Sequence, residues 1–178
     1  TDLVAEGFDL GIRIAKLEDS SLIARRLTPI RHVICASPAY WEEHGRPRKP
    51  ADLKQHMALR YSLASKRNWT YIARSGSRGS VTVPSKNVAN NGRFLADAAA
   101  AGKGVIRLPL FIVHKYIESG ALEPALTDYE WNPLDAWAVY PRARHVPARV
   151  RVLIDFLTDE FGEEPYWERC MKLRSGRS

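Results

Sequence analysis

The spacing of apolar positions switches along the chain between every second residue and every third or fourth. Phe8-Asp9-Leu10-Gly11-Ile12-Arg13-Ile14 alternates apolar with small or polar residues, which predicts a short strand. Leu17 to Ser21 is polar and reads as a loop. Leu22 to Ala36 is a long extended segment with Pro29 inside it. Proline cannot donate to a strand ladder, so the segment reads as two strands or one bent strand. Ser37-Pro38 opens a helix, serine as N-cap and proline in the first turn, and Gly45 stops it. Strands follow near Met57–Tyr61, Trp69–Ala73 and Gly79–Val83, with a turn at Arg74–Gly79 between the last two. The clearest helix is Asn91–Ala101, capped by Asn90 or Asn91 and ended by Gly102. Gly104–Pro109 is a short buried strand, Phe111–Glu118 a helix closed by Gly120, and Leu134–Tyr140 a strand stopped by Pro141. In the last strong helix Val150, Leu153, Ile154, Leu157 and Phe161 share one face, while Arg149, Arg151, Asp155 and Asp159 face away. Gly162 ends it, and the tail reads as helical from Pro165 to Leu173. Strands alternating with helices predict an α/β fold.

Composition narrows the function. The chain has 178 residues, 45% of them hydrophobic and 26% charged, enough for one or two lobes with real cores. No apolar run approaches the roughly 18 residues that span a membrane. Thr1–Gly7 lacks the basic start and apolar core of a signal peptide. Cys35 and Cys170 lie far apart, with no His or Cys at metal-ligand spacing. Cys35 sits in the apolar run Val33-Ile34-Cys35-Ala36 and reads as a small buried hydrophobe. Two cysteines of this kind fit a reducing cytoplasm. The net charge is +7, but Lys and Arg are scattered, as in Arg25-Arg26, Lys66-Arg67, Arg142 to Arg151 and Lys172 to Arg177. No dense basic stripe interleaved with aromatics forms, so direct contact with nucleic acid by this chain is not expected.

Catalysis is not expected either. His32, His44, His56, His114 and His145 are dispersed, and no G-x-S-x-G elbow, H-E-x-x-H pair or phosphate loop is present. Gly102-Lys103-Gly104 is a helix stop followed by a strand, which is no phosphate cradle. No metal and no cofactor is predicted.

Four stretches in order carry a resemblance. They are Asp2–Arg13; Ser21–Leu27 running on to Cys35-Ala36-Ser37-Pro38-Ala39-Tyr40; Asn90-Asn91-Gly92 with Ala101–Pro109; and Ala138-Val139-Tyr140-Pro141 with Val150–Leu157. Together they resemble the effector-binding domain of LysR-type bacterial transcription regulators over about residues 2 to 162. The resemblance implies a type 2 periplasmic-binding-protein-like fold: two Rossmann-like lobes joined by two crossing strands, with a small-molecule effector between them. Carried over, the first lobe is 1–36 plus 141–162, the second 37–140, and 163–178 a tail. The crossings fall near Ile34–Ala36 and Tyr140–Arg142. The family's winged helix-turn-helix, linker helix and the first strand and helix of the first lobe have no counterpart here. The resemblance therefore implies a cytoplasmic regulator that binds DNA only through a part this chain lacks. It implies a homodimer or tetramer for the full-length protein. The first-lobe sheet is expected to present an unpaired, apolar edge at Phe8–Ile14. In the family the regulatory domains pair through helices of both lobes; here the second-lobe partner is Asn91–Ala101, whose Ala96 and Ala98–Ala101 allow close approach, and pairing is expected to be weakened.

Ligands of open α/β lobes sit at strand C-termini and helix N-termini. That singles out Arg13 and Ile14 at the end of the first strand, Ala36, Ser37 and Pro38 at a strand-to-helix junction, and Asn90, Asn91 and Gly92 at the start of the best helix. Tyr61 is added as a pocket wall. A helix start and an arginine suit an organic anion. Plainer readings stand beside these: Ser37 and Asn91 as helix caps, Arg13 as a surface strand residue or a partner of Asp9 or Glu6, Tyr61 as core. Trp41, Trp69, Trp131 and Trp137 read as packing. Competing functions are a transport-type solute-binding protein of the same architecture, and a sensor-like domain that has lost its ligand and serves only for oligomerisation.

Overall fold

A computed structural model describes residues 3, 7–16, 22–62, 68–141, 146–162 and 164–171. The expected loop at 17–21, Arg142, His145 and the end of the tail lie outside the described residues. In chain order the elements are β1 (Gly11–Ala15), β2 (Leu22–Ala36), α1 (Pro38–His44), a 3-10 turn (Pro50–Gln55), β3 (Leu59–Tyr61), β4 (Asn68–Ala73), β5 (Arg78–Thr82), β6 (Asn87–Ala89), α2 (Gly92–Ala100), β7 (Ile106–Pro109), α3 (Leu110–Glu118), β8 (Glu123–Ala125), β9 (Tyr129–Pro141), α4 (Ala148–Phe161) and a second 3-10 turn (Tyr166–Glu168). One sheet runs in the order β5-β4-β9-β2-β7, with β1 on β9 and β8 on β2; β3 and β6 make a second, two-stranded sheet.

Pro29 does not interrupt β2, which is one strand of 15 residues. Its antiparallel ladders with β7 and β8 cover only His32–Ala36. At Pro29 one edge therefore carries no ladder among the described strands, the setting in which a strand tolerates proline.

The chain divides into two units, Thr1–Ile30 with Leu134–Tyr166, and Arg31–Pro133 with Trp167–Ser178. Strands β2 and β9 each contribute to both.

Unit 1 holds β1 antiparallel to β9, from Gly11 opposite Val139 to Ala15 opposite Asp135. Its core includes Leu27, Ile30, Ala138, Val139, Val150 and Ile154. The face expected of α4 is only partly used. Val150 and Ile154 are buried, Leu157 and Phe161 are half-buried, and Leu153 stays 45% exposed. The described elements of unit 1 cover one line of the helix rather than the whole apolar stripe. Polar residues of unit 1 tie down its surface: Arg25 pairs with Asp155 at 2.6 Å, Arg26 with Asp135 at 2.7 Å, and Arg149 grips both oxygens of Asp9.

Unit 2 is filled. Ile34, Leu53, Val105, Ile106, Leu110, Val113 and Leu122 are all at 0% exposure. Trp41, Trp69 and Trp131 are buried as the packing reading predicts. Helix α2 turns Leu95, Ala96 and Ala99 inward. Ala96 and Ala99 are thus enclosed within their own unit and cannot serve in close approach to another chain; Phe94 instead stands 62% exposed. A parallel bridge joins Ala58 to Val105, and a Cβ at Gly104, whose φ is +149°, would collide with the Met57 carbonyl oxygen. The tail joins this unit through Trp167, edge-on to Phe111 at 5.9 Å. Cys35 and Cys170 are both buried.

Candidate functional site

Unit 2 contains the arrangement that a ligand-binding edge requires. Strands β3 and β6 are parallel, with Tyr61 opposite Ala89. The Ala58–Val105 bridge sets the run into β7 parallel to β3 as well. All three strands therefore end on one edge, where α2 and α3 begin. The two helix starts are close: a Cβ on Gly92 would lie 2.8 Å from Cδ1 of Ile112 in the first turn of α3. Asn91 caps α2 by accepting a hydrogen bond from the Phe94 N–H at 3.1 Å. At α3 the N-cap is Pro109, which supplies no side-chain acceptor. The first N–H groups of a helix have no partner within it, and together with the helix dipole they favour an anion.

The structure brings Tyr61, Asn90, Asn91 and Gly92 together on this edge and separates Ser37 from them. The Ser37 hydroxyl accepts from the Tyr40 N–H at 3.2 Å, so its capping role is realised. A Cβ on Gly102 would lie 3.7 Å from that hydroxyl. Gly102 follows the C-terminus of α2, so at the helical rise per residue Ser37 sits about 15 Å from the Gly92 end. Ala36 is fully enclosed and Pro38 is half-buried in the first turn of α1. Arg13 and Ile14 belong to unit 1. They lie in β1 opposite Trp137 and Ala136, and both are exposed.

Several basic side chains have carboxylate partners. Besides the three pairs of unit 1, Arg31 reaches Glu168, Arg46 reaches Glu123, and Arg74 reaches Asp128. These pairs disperse the positive charge that the composition reports. Arg107 of β7 differs: its Nε and Nη1 are buried with no hydrogen-bond partner. The sequence pattern assigns it no role, yet a lone cation inside the apolar run Val105-Ile106-Arg107-Leu108 was the available signal. His56 is buried beneath Tyr40 and Trp41, and burial first, then His44, hold its imidazole below the usual range, with Asp52 pulling the other way. Among the described residues no group of three or more His, Cys, Asp or Glu could hold a metal ion. No helix among them is long and apolar enough to cross a membrane.

Two α/β units that share two strands, one of them ending in a helix-flanked edge, define a class of small-molecule-binding domain. The chain belongs to the LysR substrate binding domain family, whose model matches residues 1–162. It is 37% identical over 162 residues to the HTH-type transcriptional activator AaeR of Escherichia coli K12, covering 91% of this chain and 52% of that protein. It thus spans about half the length of the curated relatives it matches. The regulatory domain of CrgA from Neisseria meningitidis, a LysR-type transcriptional regulator, superposes with a TM-score of 0.74 at 30% identity, covering 89% of this chain and 78% of that one. The full-length Vibrio cholerae virulence activator AphB gives 0.75 at 27%, covering 89% and 54%. The fold is accordingly the type 2 periplasmic-binding-protein-like one, and the chain is an effector-binding regulatory domain of this family. Its family and relatives are transcription regulators, which does not favour a transport role.

Proposed function

We propose that the chain senses a small organic anion and that the intact regulator, acting in the cytoplasm as a homo-oligomer, passes the bound state to a helix-turn-helix outside residues 1–178. No chemistry is done on the ligand; binding alone is the signal. The observation that carries this reading is the edge where β3, β6 and β7 end together against the starts of α2 and α3. Asn91 occupies one N–H group of α2 and leaves others for a ligand. Tyr61, Asn90 and Gly92 flank that start; Arg13, Ile14, Ser37 and Pro38 remain second-rank candidates. Thermal melting against a library of organic acids and neutral compounds tests it. A ligand at 100 times its Kd should stabilise the fold by about 2.7 kcal/mol. Stabilisation by neutral compounds alone would defeat the anion reading.

A further inference from the structure

Arg107 is the residue of unit 2 that its own surroundings leave incomplete. It lies in β7 opposite Ile34 of β2. Alternation along paired strands puts it on the same face as Val105 and Ala58 and opposite to Ile106 and Leu108, and both faces are buried. Its guanidinium carbon stands 5.5 Å from the centre of the Trp69 ring, and Trp69 is itself 4% exposed. Nε and Nη1 are closed to solvent and make no hydrogen bond. Burial alone lowers its pKa to about 10, with no neighbouring charge contributing. The group is still a cation at neutral pH, so a positive charge is buried without an anion among the described residues.

The Trp69 ring face recovers only part of what desolvation costs, because a ring offers no acceptor for the N–H groups. A guanidinium is a planar fork of donors that matches a carboxylate in two parallel hydrogen bonds. Arg107 as a residue is not wholly enclosed. Arg60, half-buried in β3, stands two residues past the Ala58–Val105 bridge, as Arg107 does in β7, and so shares its face. Three apolar residues lie beside Arg107: Ile34, Val105 and Trp69.

We propose that Arg107 is the binding residue for the effector's charge, and that the effector is a small monocarboxylate with an apolar body. This rests on the reading of the chain as a sensor of organic anions, and it moves the anion contact from the helix starts to the arginine. A purely structural arginine predicts the opposite response to mutation. If Arg107 only braces Trp69, removing it loosens the fold. If it waits for an anion, removing it relieves an uncompensated buried charge, and the unliganded protein melts higher.

The test is thermal melting and calorimetry on the wild type, Arg107→Met and Arg107→Gln. The probes are butyrate, benzoate and phenylacetate, each beside its amide, and inorganic phosphate. The expected result is a melting shift of the wild type with at least one carboxylate, none with its amide, and at least about tenfold weaker binding in both variants. Both variants should melt no lower than the wild type without ligand. Undiminished carboxylate binding in Arg107→Met overturns the role of Arg107 and leaves the anion reading standing. Response to amides or to phosphate alone, or silence across the panel, overturns the ligand class. Failure of both variants to fold assigns Arg107 to structure and overturns the proposal.

Discussion

Units 1 and 2 are built from the same kinds of element but close their apolar surfaces differently. In unit 2 helices α1, α2 and α3 all bury apolar side chains, and among the described residues only Val88 and Phe94 stand out as large exposed apolar side chains. In unit 1 there are Phe8, Ile12, Ile14, Val152, Leu153, Phe156 and Tyr166. Strand β1 is paired only with β9 among the described strands, with Ile12 and Ile14 exposed at 51% and 42%. The difference teaches that an apolar repeat reports which surface seeks cover, and that cover must be supplied by another element. Helix α4 carries an apolar repeat as α2 does, weaker in α4, and the outcome is not the same.

That contrast can be broken by stability measurements. Truncating the fully buried Leu110 of unit 2 to alanine should cost about 2–5 kcal/mol. Phe156→Ser in unit 1, at a side chain 59% exposed, should change stability by no more than about 0.5 kcal/mol. Urea denaturation of the two variants decides, and equal losses would show that α4 is covered after all. Next in size are the caps. Ser37→Ala should cost about 1–2 kcal/mol because the position is buried, and Asn91→Ala, exposed, about 0.5–1 kcal/mol. The reverse order would mean that the α2 start is the tighter of the two.

Smaller still is the Arg149–Asp9 pair of unit 1. Both side chains are more than half exposed, so Asp9→Asn should cost at most about 0.5 kcal/mol, and less in high salt. The last test concerns pH. His56 is neutral in the fold and its pKa is lowered, while in the unfolded chain it titrates near its ordinary value of about 6.5. Below that value the unfolded state takes up the proton first, so stability should fall as the solution is acidified from about pH 6.5. A His56→Phe variant should show a flatter acid limb in denaturation curves collected over that range. An unchanged limb would place the acid sensitivity on other groups.

Much of the α/β organisation was legible in the sequence because it is written locally. Serine before Pro38, Asn91 before Gly92 and glycines after α2 and α4 mark helix ends whatever the rest of the chain does. Strands β6 and β8 were not legible: three residues are too few for a period, and each exists only because a neighbouring strand supplies its hydrogen bonds. Of the two readings at Pro29, two strands or one bent strand, the single strand is found, for a related reason. The rule is local, whereas the ladder that a proline would disrupt is set by how far β7 and β8 reach along β2.

For the candidate site the division is sharper. The sequence by itself carried the family resemblance and the helix caps, and it singled out Asn90-Asn91-Gly92 as a candidate site. Only the tertiary structure decided that Tyr61 joins that cluster and Ser37 does not. Parallel pairing of β3 with β6 aligns their ends, while α2 holds Ser37 and Asn91 at opposite ends of its length. Arg107 is the clearest case. In sequence it is one of 27 basic residues. What singles it out is the burial of two donors against Trp69 with no acceptor in reach, and burial is a property of the packed chain that no run of neighbouring residues encodes.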